Sequence, residues 1–139
     1  MKNYWTNKKV LVTGGTGFIG SHVTELLLKL GALVHVTSKS GNFINIRHIR
    51  KDIAIIPADL TDFETALKVT RNKDIVLNLA AKVTGIQFNS SHPVSMFNDN
   101  VQMAKNMIEA SLKNNVERFL IVSSACVYPR NSSIPTPES

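Results

Sequence analysis

The chain holds one cysteine, Cys126, in 139 residues. No internal disulfide can form, and too few thiolates remain for a cysteine-based zinc site. No run of Lys or Arg alternates with aromatic residues, as a nucleic-acid-binding stripe would require. No apolar run approaches the length of a membrane span. The first residues, Met1-Lys2-Asn3-Tyr4-Trp5, carry no apolar stretch of signal-peptide length. A cytoplasmic protein with no membrane partner is the expectation. Internal repeats and low-complexity segments are also missing.

What is present is the composition of an ordinary globular domain. At 43% apolar and 19% charged residues, a chain of this length builds one domain with a real core. The formal charge of +6 raises nucleic acid as a partner. The basic residues are scattered, however, and their densest groups are only Lys8-Lys9, residues 47–51 and residues 71–73. A positive field equally suits a ligand bearing several phosphate charges. No nucleic-acid partner is expected.

The most informative stretch is Val12-Thr13-Gly14-Gly15-Thr16-Gly17-Phe18-Ile19-Gly20. It follows a short apolar strand and opens an apolar-periodic helix, the context that gives a glycine turn its meaning. Gly14 is read as permitting the tight turn off the strand. Gly17 lets the backbone approach a pyrophosphate, and Gly20 lets the helix pack close to the sheet. Unpaired N–H groups at the helix start would face the phosphates.

Short β-rich runs then alternate with helical ones. Strands are predicted over residues 9–13, 33–37, 53–56, 75–79 and 119–123, and helices over 18–30, 63–70 and 94–114, with a short helix near 43–50. The strands are continuous apolar runs, as in strands buried on both faces. Phe97, Val101, Ala104, Met107, Ile108 and Leu112 recur at helical spacing and read as core packing. The alternation predicts an α/β fold: a Rossmann-type, doubly wound parallel sheet of strand order 3-2-1-4-5. The ligand would lie across the carboxyl ends of strands one and four. Residues 1–128 form the expected nucleotide-binding domain, and 129–139 an irregular segment.

Four places at strand ends carry candidate chemistry. After the second strand, Ser38-Lys39-Ser40 replaces the acid that usually holds the ribose 2′-hydroxyl of NAD. A hydroxyl beside a cation matches a 2′-phosphate better, so NADP is modestly favoured over NAD, unless Lys39 is only a solvated loop residue. After the third, Asp59 can accept from an adenine amino group while Leu60 covers the ring. Equally, Asp59-Leu60-Thr61-Asp62 reads as a helix start. After the fourth, Leu79, Ala80 and Ala81 would let a cofactor lie against the backbone, and Lys82 either reaches a phosphate or stays solvated. After the fifth, Ser124 could present a hydroxyl to a substrate, and Cys126 could move a proton if its thiol were acidified. Both also read as a turn residue and a small buried apolar residue.

Taken together, Thr13 to Gly20, Asp59-Leu60, Asn78 to Ala81, Asn100 ahead of Asn106 to Ala110, and Arg118 to Ser124 resemble the N-terminal part of an extended short-chain dehydrogenase/reductase. The group is that of the nucleotide-sugar epimerases and dehydratases. Ser124-Ala125-Cys126-Val127-Tyr128-Pro129, Ala80 to Val83 and Gly85-Ile86 are similar to the branch containing GDP-mannose 3,5-epimerase and GDP-fucose synthase. The resemblance implies Ser124 as the serine at the sugar oxygen and Cys126 as a proton-transfer residue. It implies Gly14, Gly17, Phe18, Ile19 and Gly20 at the pyrophosphate, Asp59 and Leu60 at the adenine, and Leu79 to Ala81 along the ribose. Asn100 is carried over with the cofactor site, and a homodimer paired through helix 94–114 is implied. The family's Tyr-x-x-x-Lys pair lies downstream of the Ser-Ser motif and has no match there: four residues after Tyr128 stands Ser132. The expectation is the NAD(P)-binding portion of a GDP-sugar or related epimerase or reductase, truncated before its substrate domain and catalytically incomplete alone. A non-catalytic dinucleotide-binding or protein-interaction module is the alternative.

Overall fold

The computed structural model describes residues 3–83, 91–124 and 127–138. Five strands, β1 (Lys9–Thr13), β2 (Leu33–Ser38), β3 (Ala54–Pro57), β4 (Ile75–Asn78) and β5 (Arg118–Ile121), form one sheet of order β3-β2-β1-β4-β5. Every pairing is parallel, with Val12 opposite both Val36 and Leu77. Among the described residues the helices are α1 (Phe18–Lys29), α2 (Phe63–Thr70) and α3 (Pro93–Lys113). The predicted strand order is the observed one.

Alternation along each strand builds two cores from one sheet. Val10, Val12, Val34, Val36 and Ile75 pack with Leu27 and Ala32 on the α1 side. Leu11 and Val76 pack on the other side with Leu60, Ala66, Val69, Met107 and Ala110, from α2, α3 and the loop before α2. Continuous apolar runs in the inner strands follow directly, because both faces are covered. Each fully buried Val or Leu contributes about 1.5–3 kcal/mol relative to exposure.

Helix ends are set by local chemistry. α1 stops at Gly31, left-handed at φ 82°, where the Gly31 N–H donates to Leu28 O and Ala32 N–H to Leu27 O. That pairing is the Schellman closure. Asn115, at φ 53°, ends α3 in the same way, its N–H donating to Leu112 O and the Val116 N–H to Ser111 O. Asp62, not Asp59, caps α2, accepting from the Thr65 N–H at 2.8 Å.

Several expectations are corrected. In place of a helix over 43–50 there is a 3₁₀ turn, Ile44–Ile46, continued by further i→i+3 turns. Only Ile46 there is buried, so one anchor point replaces an apolar face. β3 runs one residue later than predicted and ends at Pro57, which has no N–H to continue a ladder. β5 is not buried on both faces: it is an edge strand, and Leu120 and Ile121 are exposed. The core reading of the long helix fails for Phe97, Val101, Ile108 and Leu112, all exposed, while Met107 is fully buried. Among the described residues, no helix is long and apolar enough to cross a membrane.

Candidate functional site

Parallel strands bring all their carboxyl ends to one edge of the sheet, and there the chain leaves a cleft of about 460 Å³. The turn after β1 supplies Gly14, Thr16 and Gly17. The end of β2 supplies Ser38, Lys39 and Ser40, the loop after β3 supplies Leu60 and Thr61, and the loop after β4 supplies Leu79 to Lys82. Asp99 and Met103 of α3 close one side.

The glycine turn is defined by what a side chain would strike. Gly14 sits at φ 64°, a left-handed conformation, and a Cβ there would stand 3.0 Å from Ala80 Cα. Gly17 has ordinary extended backbone (φ −74°, ψ −179°). Its Cβ would meet only Gly14 O, at 3.2 Å. Gly17 therefore keeps space open on the cleft side. Gly20 differs from its expected role: its Cβ would fall 2.2 Å from Gly14 O, so it packs α1 against the turn and not against the sheet. Close approach to the sheet falls to Gly15, whose Cβ would lie 2.7 Å from Val36 Cγ1. Gly17 is the N-cap of α1, no side chain caps that end, and the first turn carries no acid. The helix start thus presents backbone N–H groups and a positive dipole end toward the cleft.

A buried hydroxyl fixes the turn to β4. Thr13 Oγ1 donates to Asn78 Oδ1 at 2.7 Å and accepts from the Leu79 and Ala80 N–H groups, each at 3.0 Å. Thr16 O accepts from Asn45 Nδ2, and Thr16 Oγ1 reaches Ser38 Oγ at 3.3 Å. The loop after β3 is held from α3, where Asn106 Nδ2 donates to Leu60 O and Thr61 O.

Two ion pairs flank the cleft. Lys39 Nζ lies 2.6 Å from Asp59 Oδ2, and Lys82 Nζ lies 2.5 Å from Asp99 Oδ2. The hydrogen bond from Lys39, and next that from the Thr61 hydroxyl, hold the Asp59 carboxyl down at about 2. Asp59 also accepts from the Thr61 N–H at 3.1 Å. Thus Asp59 forms the turn before α2 and neutralises Lys39, while Asp62 does the capping. Lys39 is an exposed loop residue that carries this one ion pair.

Of the residues singled out in the sequence, Gly14, Gly17, Ser38, Lys39, Leu60, Leu79, Ala80, Ala81 and Lys82 line this one cleft. Phe18 and Ile19 stand exposed on the first turn of α1. Asn100 is not in the cleft wall. Its amide clamps the Lys82 backbone, accepting from the N–H at 2.8 Å and donating to the carbonyl at 3.1 Å. Ser124 is exposed, three residues beyond the end of β5. Cys126, Gly85 and Ile86 lie outside the described residues. Asp99 and Met103 give no signal in the sequence, and Thr13, Thr16, Thr61 and Asn106 stand inside its motifs without a role of their own. A threonine before the glycine turn and a polar residue inside an apolar helix face are the signals that mark Thr13 and Asn106.

This sheet order, with a glycine turn at the end of β1, defines the Rossmann class of α/β domains. The chain belongs to the NAD dependent epimerase/dehydratase family, whose sequence profile matches residues 10–139. It is 38% identical over 141 residues to GDP-mannose 3,5-epimerase of Arabidopsis thaliana, a match covering 97% of this chain and 36% of that protein. The solved structure of an epimerase from Methanothermobacter thermautotrophicus superposes with a TM-score of 0.87 at 31% identity, over 98% of this chain and 41% of that one. A UDP-glucose 4-epimerase from Thermus thermophilus in complex with NAD gives 0.73 at 32% identity, over 84% of this chain and 37% of that one. The chain thus spans little more than a third of the length of these relatives.

Proposed function

We propose that the chain is the NAD(P)-binding portion of a nucleotide-sugar epimerase or reductase, cytoplasmic and acting on a GDP-sugar. The observation that carries the reading is the open side of Gly17, at the uncapped start of α1, facing a cleft that four loops line. The residues present fit a dinucleotide. The N–H groups of the turn and of the first turn of α1 hold the pyrophosphate. Leu60 would cover the adenine, and Asp59, whose oxygens face Lys39 and Thr61, would accept from its amino group. Ser38 and Lys39 would take the ribose end, with a modest preference for NADP because β2 ends in a serine followed by a lysine and not in an acid. Leu79, Ala80 and Ala81 form the wall along the second ribose, with Lys82 held in place by Asn100. The GDP-sugar assignment is supported by the likeness to the plant epimerase.

When bound, a nicotinamide would supply hydride transfer at a sugar carbon. The chain's own contributions are orientation and proton handling: Ser124 donates a hydrogen bond to the sugar oxygen, and Cys126 moves a proton beside the carbonyl. No Tyr-x-x-x-Lys pair follows Ser124 in these 139 residues, the one such spacing, Tyr4 to Lys8, standing ahead of the glycine turn, and the polypeptide alone binds cofactor but turns over no nucleotide sugar. General acid–base assistance supplies roughly 100- to 10,000-fold. Self-association through α3 belongs to the same reading. Val94, Phe97, Val101, Ile108 and Leu112 form an exposed apolar stripe along one face of that helix, broken only by Lys105. A second copy would cover it.

The test is calorimetry with NAD and NADP on the wild type and on Gly17→Val. Binding by the wild type that the variant loses supports the proposal. Equal affinity in both would mean that the cofactor sits elsewhere. Product analysis with GDP-mannose and UDP-glucose checks turnover, and turnover that vanished in Ser124→Ala would overturn the claim of incompleteness.

A further inference from the structure

A second recess, of about 490 Å³, lies at the amino ends of the strands, on the opposite edge of the sheet from the cleft. Lys9 opens β1 there, and β1 is five residues long. The two sites are therefore roughly 15 Å apart, at ~3.3 Å per strand residue. Lys9, His35 of β2, and Arg71 and Lys73 of the turn between α2 and β4 bring basic groups to its wall. Asn72, left-handed at φ 56°, makes that turn tight enough to place Arg71 and Lys73 on the same rim.

Among the described residues, Lys9, Arg71 and Lys73 form no ion pair with a carboxylate. The Lys73 ammonium donates to Arg71 O at 3.1 Å, a backbone carbonyl. Asp74 is occupied by the Lys9 backbone N–H, at 2.7 Å from Oδ2. Asp52 alone puts a carboxylate in the described lining. Burial, and then Lys9, push the Lys73 ammonium down. Burial, then Lys73 and more weakly Lys9, push the His35 imidazole down against a contact with Leu33 O. Like charges gathered in a concavity are relieved by one anion lying between them.

We propose that this recess binds a small phosphate-bearing anion of the pyrophosphate type, at a site separate from the dinucleotide cleft. Among the described residues its lining offers no Phe, Tyr or Trp on which a nucleic-acid base would stack. Binding makes protonation of His35 easier, so affinity rises as pH falls through the His35 titration range. Lys9 and Lys73 oppose that protonation, and Asp52, Asp74 and Arg71 complete the charged groups around it.

The experiment follows the His35 ring by NMR, assigned by the peak lost in His35→Gln, while pyrophosphate is added to the full chain. Sodium chloride at matched ionic strength is the parallel arm. The expected result is a saturable shift of the His35 signals with an upward move of its titration. In Lys73→Gln, affinity should fall by about fivefold, the size of one screened charge contact. Binding in the cleft would instead move the amides of Gly14 and Gly17. A His35 ring indifferent to pyrophosphate overturns the proposal. So does one moved equally by chloride, or one for which Lys73→Gln binds as the wild type does.

Discussion

Asp59 is the residue whose removal should change cofactor choice without touching the cofactor's 2′ position. In the free protein its carboxylate holds the Lys39 ammonium at 2.6 Å, and a 2′-phosphate must compete for that cation. The drop of the Asp59 carboxyl from 3.8 to about 2 reflects mainly the bond from Lys39. Taken at face value it is worth roughly 2.5 kcal/mol. The Lys39 side chain is 70% exposed and that of Asp59 44%, so solvent screening leaves about 1 kcal/mol. Asp59→Asn keeps an acceptor for the adenine amino group and for Thr61 but frees Lys39. The ratio of NADP to NAD affinity should then rise about fivefold, the factor that ~1 kcal/mol supplies. Calorimetry with both cofactors on wild type, Asp59→Asn, Lys39→Gln and the double variant measures it. An unchanged ratio in Asp59→Asn would refute the reasoning. So would a rise that persists with Lys39→Gln, because the effect would then not pass through the ammonium.

The remaining expectations concern the turn, its anchor, acid and assembly. Gly17→Ala should unfold at nearly the wild-type temperature yet lose at least about tenfold in cofactor affinity, ~1.4 kcal/mol. Gly20→Ala drives a methyl to 2.2 Å from Gly14 O and should cost stability at or above the roughly 1–3 kcal/mol of overpacking; a thermal melt separates the two. Thr13→Val removes the acceptor of the Leu79 and Ala80 N–H groups and should cost about 2–3 kcal/mol in urea unfolding. The Asp59 carboxyl titrates lower in the folded chain than in the unfolded one, so its contribution to stability is full above 3.8 and is lost as pH falls through about 2. Asp59→Asn should flatten the acid branch of the stability curve in that window. Phe97→Glu should shift the chain from dimer to monomer in analytical ultracentrifugation; a monomeric wild type would end the dimer proposal.

The sheet was legible because a parallel strand buried on both faces must be apolar at every position, which Val10-Leu11-Val12 and Val34 to Val36, with His35 the exception, display nearly residue by residue. What could not be read is where coverage stops. Leu120 and Ile121 have the same composition as the inner strands, and only the sheet order shows that they lie on an edge. Phe97, Val101 and Leu112 keep helical period with Met107, yet Met107 faces the sheet and they face outward. Periodicity identifies an apolar stripe without saying which surface meets it. At the site, glycines and small residues were readable from local chain geometry. Thr13 and Asn106 were harder, because their partners lie 65 to 67 and 45 to 46 residues away in sequence.

The two ion pairs bear on how such a cleft recognises an anion. The chain is basic overall, at +6, but the two lysines in the cleft wall, Lys39 and Lys82, each already face an aspartate. Net charge therefore steers a polyphosphate toward the molecule more than it holds one in this place. What is left uncompensated in the cleft is backbone: the N–H groups at the open end of α1, whose nearest obstruction would be a side chain at Gly17. Backbone donors do not titrate and are fixed by the Thr13 anchor, so recognition of the pyrophosphate should vary little with pH above the Asp59 transition. On the proposed reading, selectivity at the 2′ position would depend on one exposed, salt-screened pair. Raising ionic strength should therefore narrow the difference between NADP and NAD affinity much more than it weakens NAD binding itself.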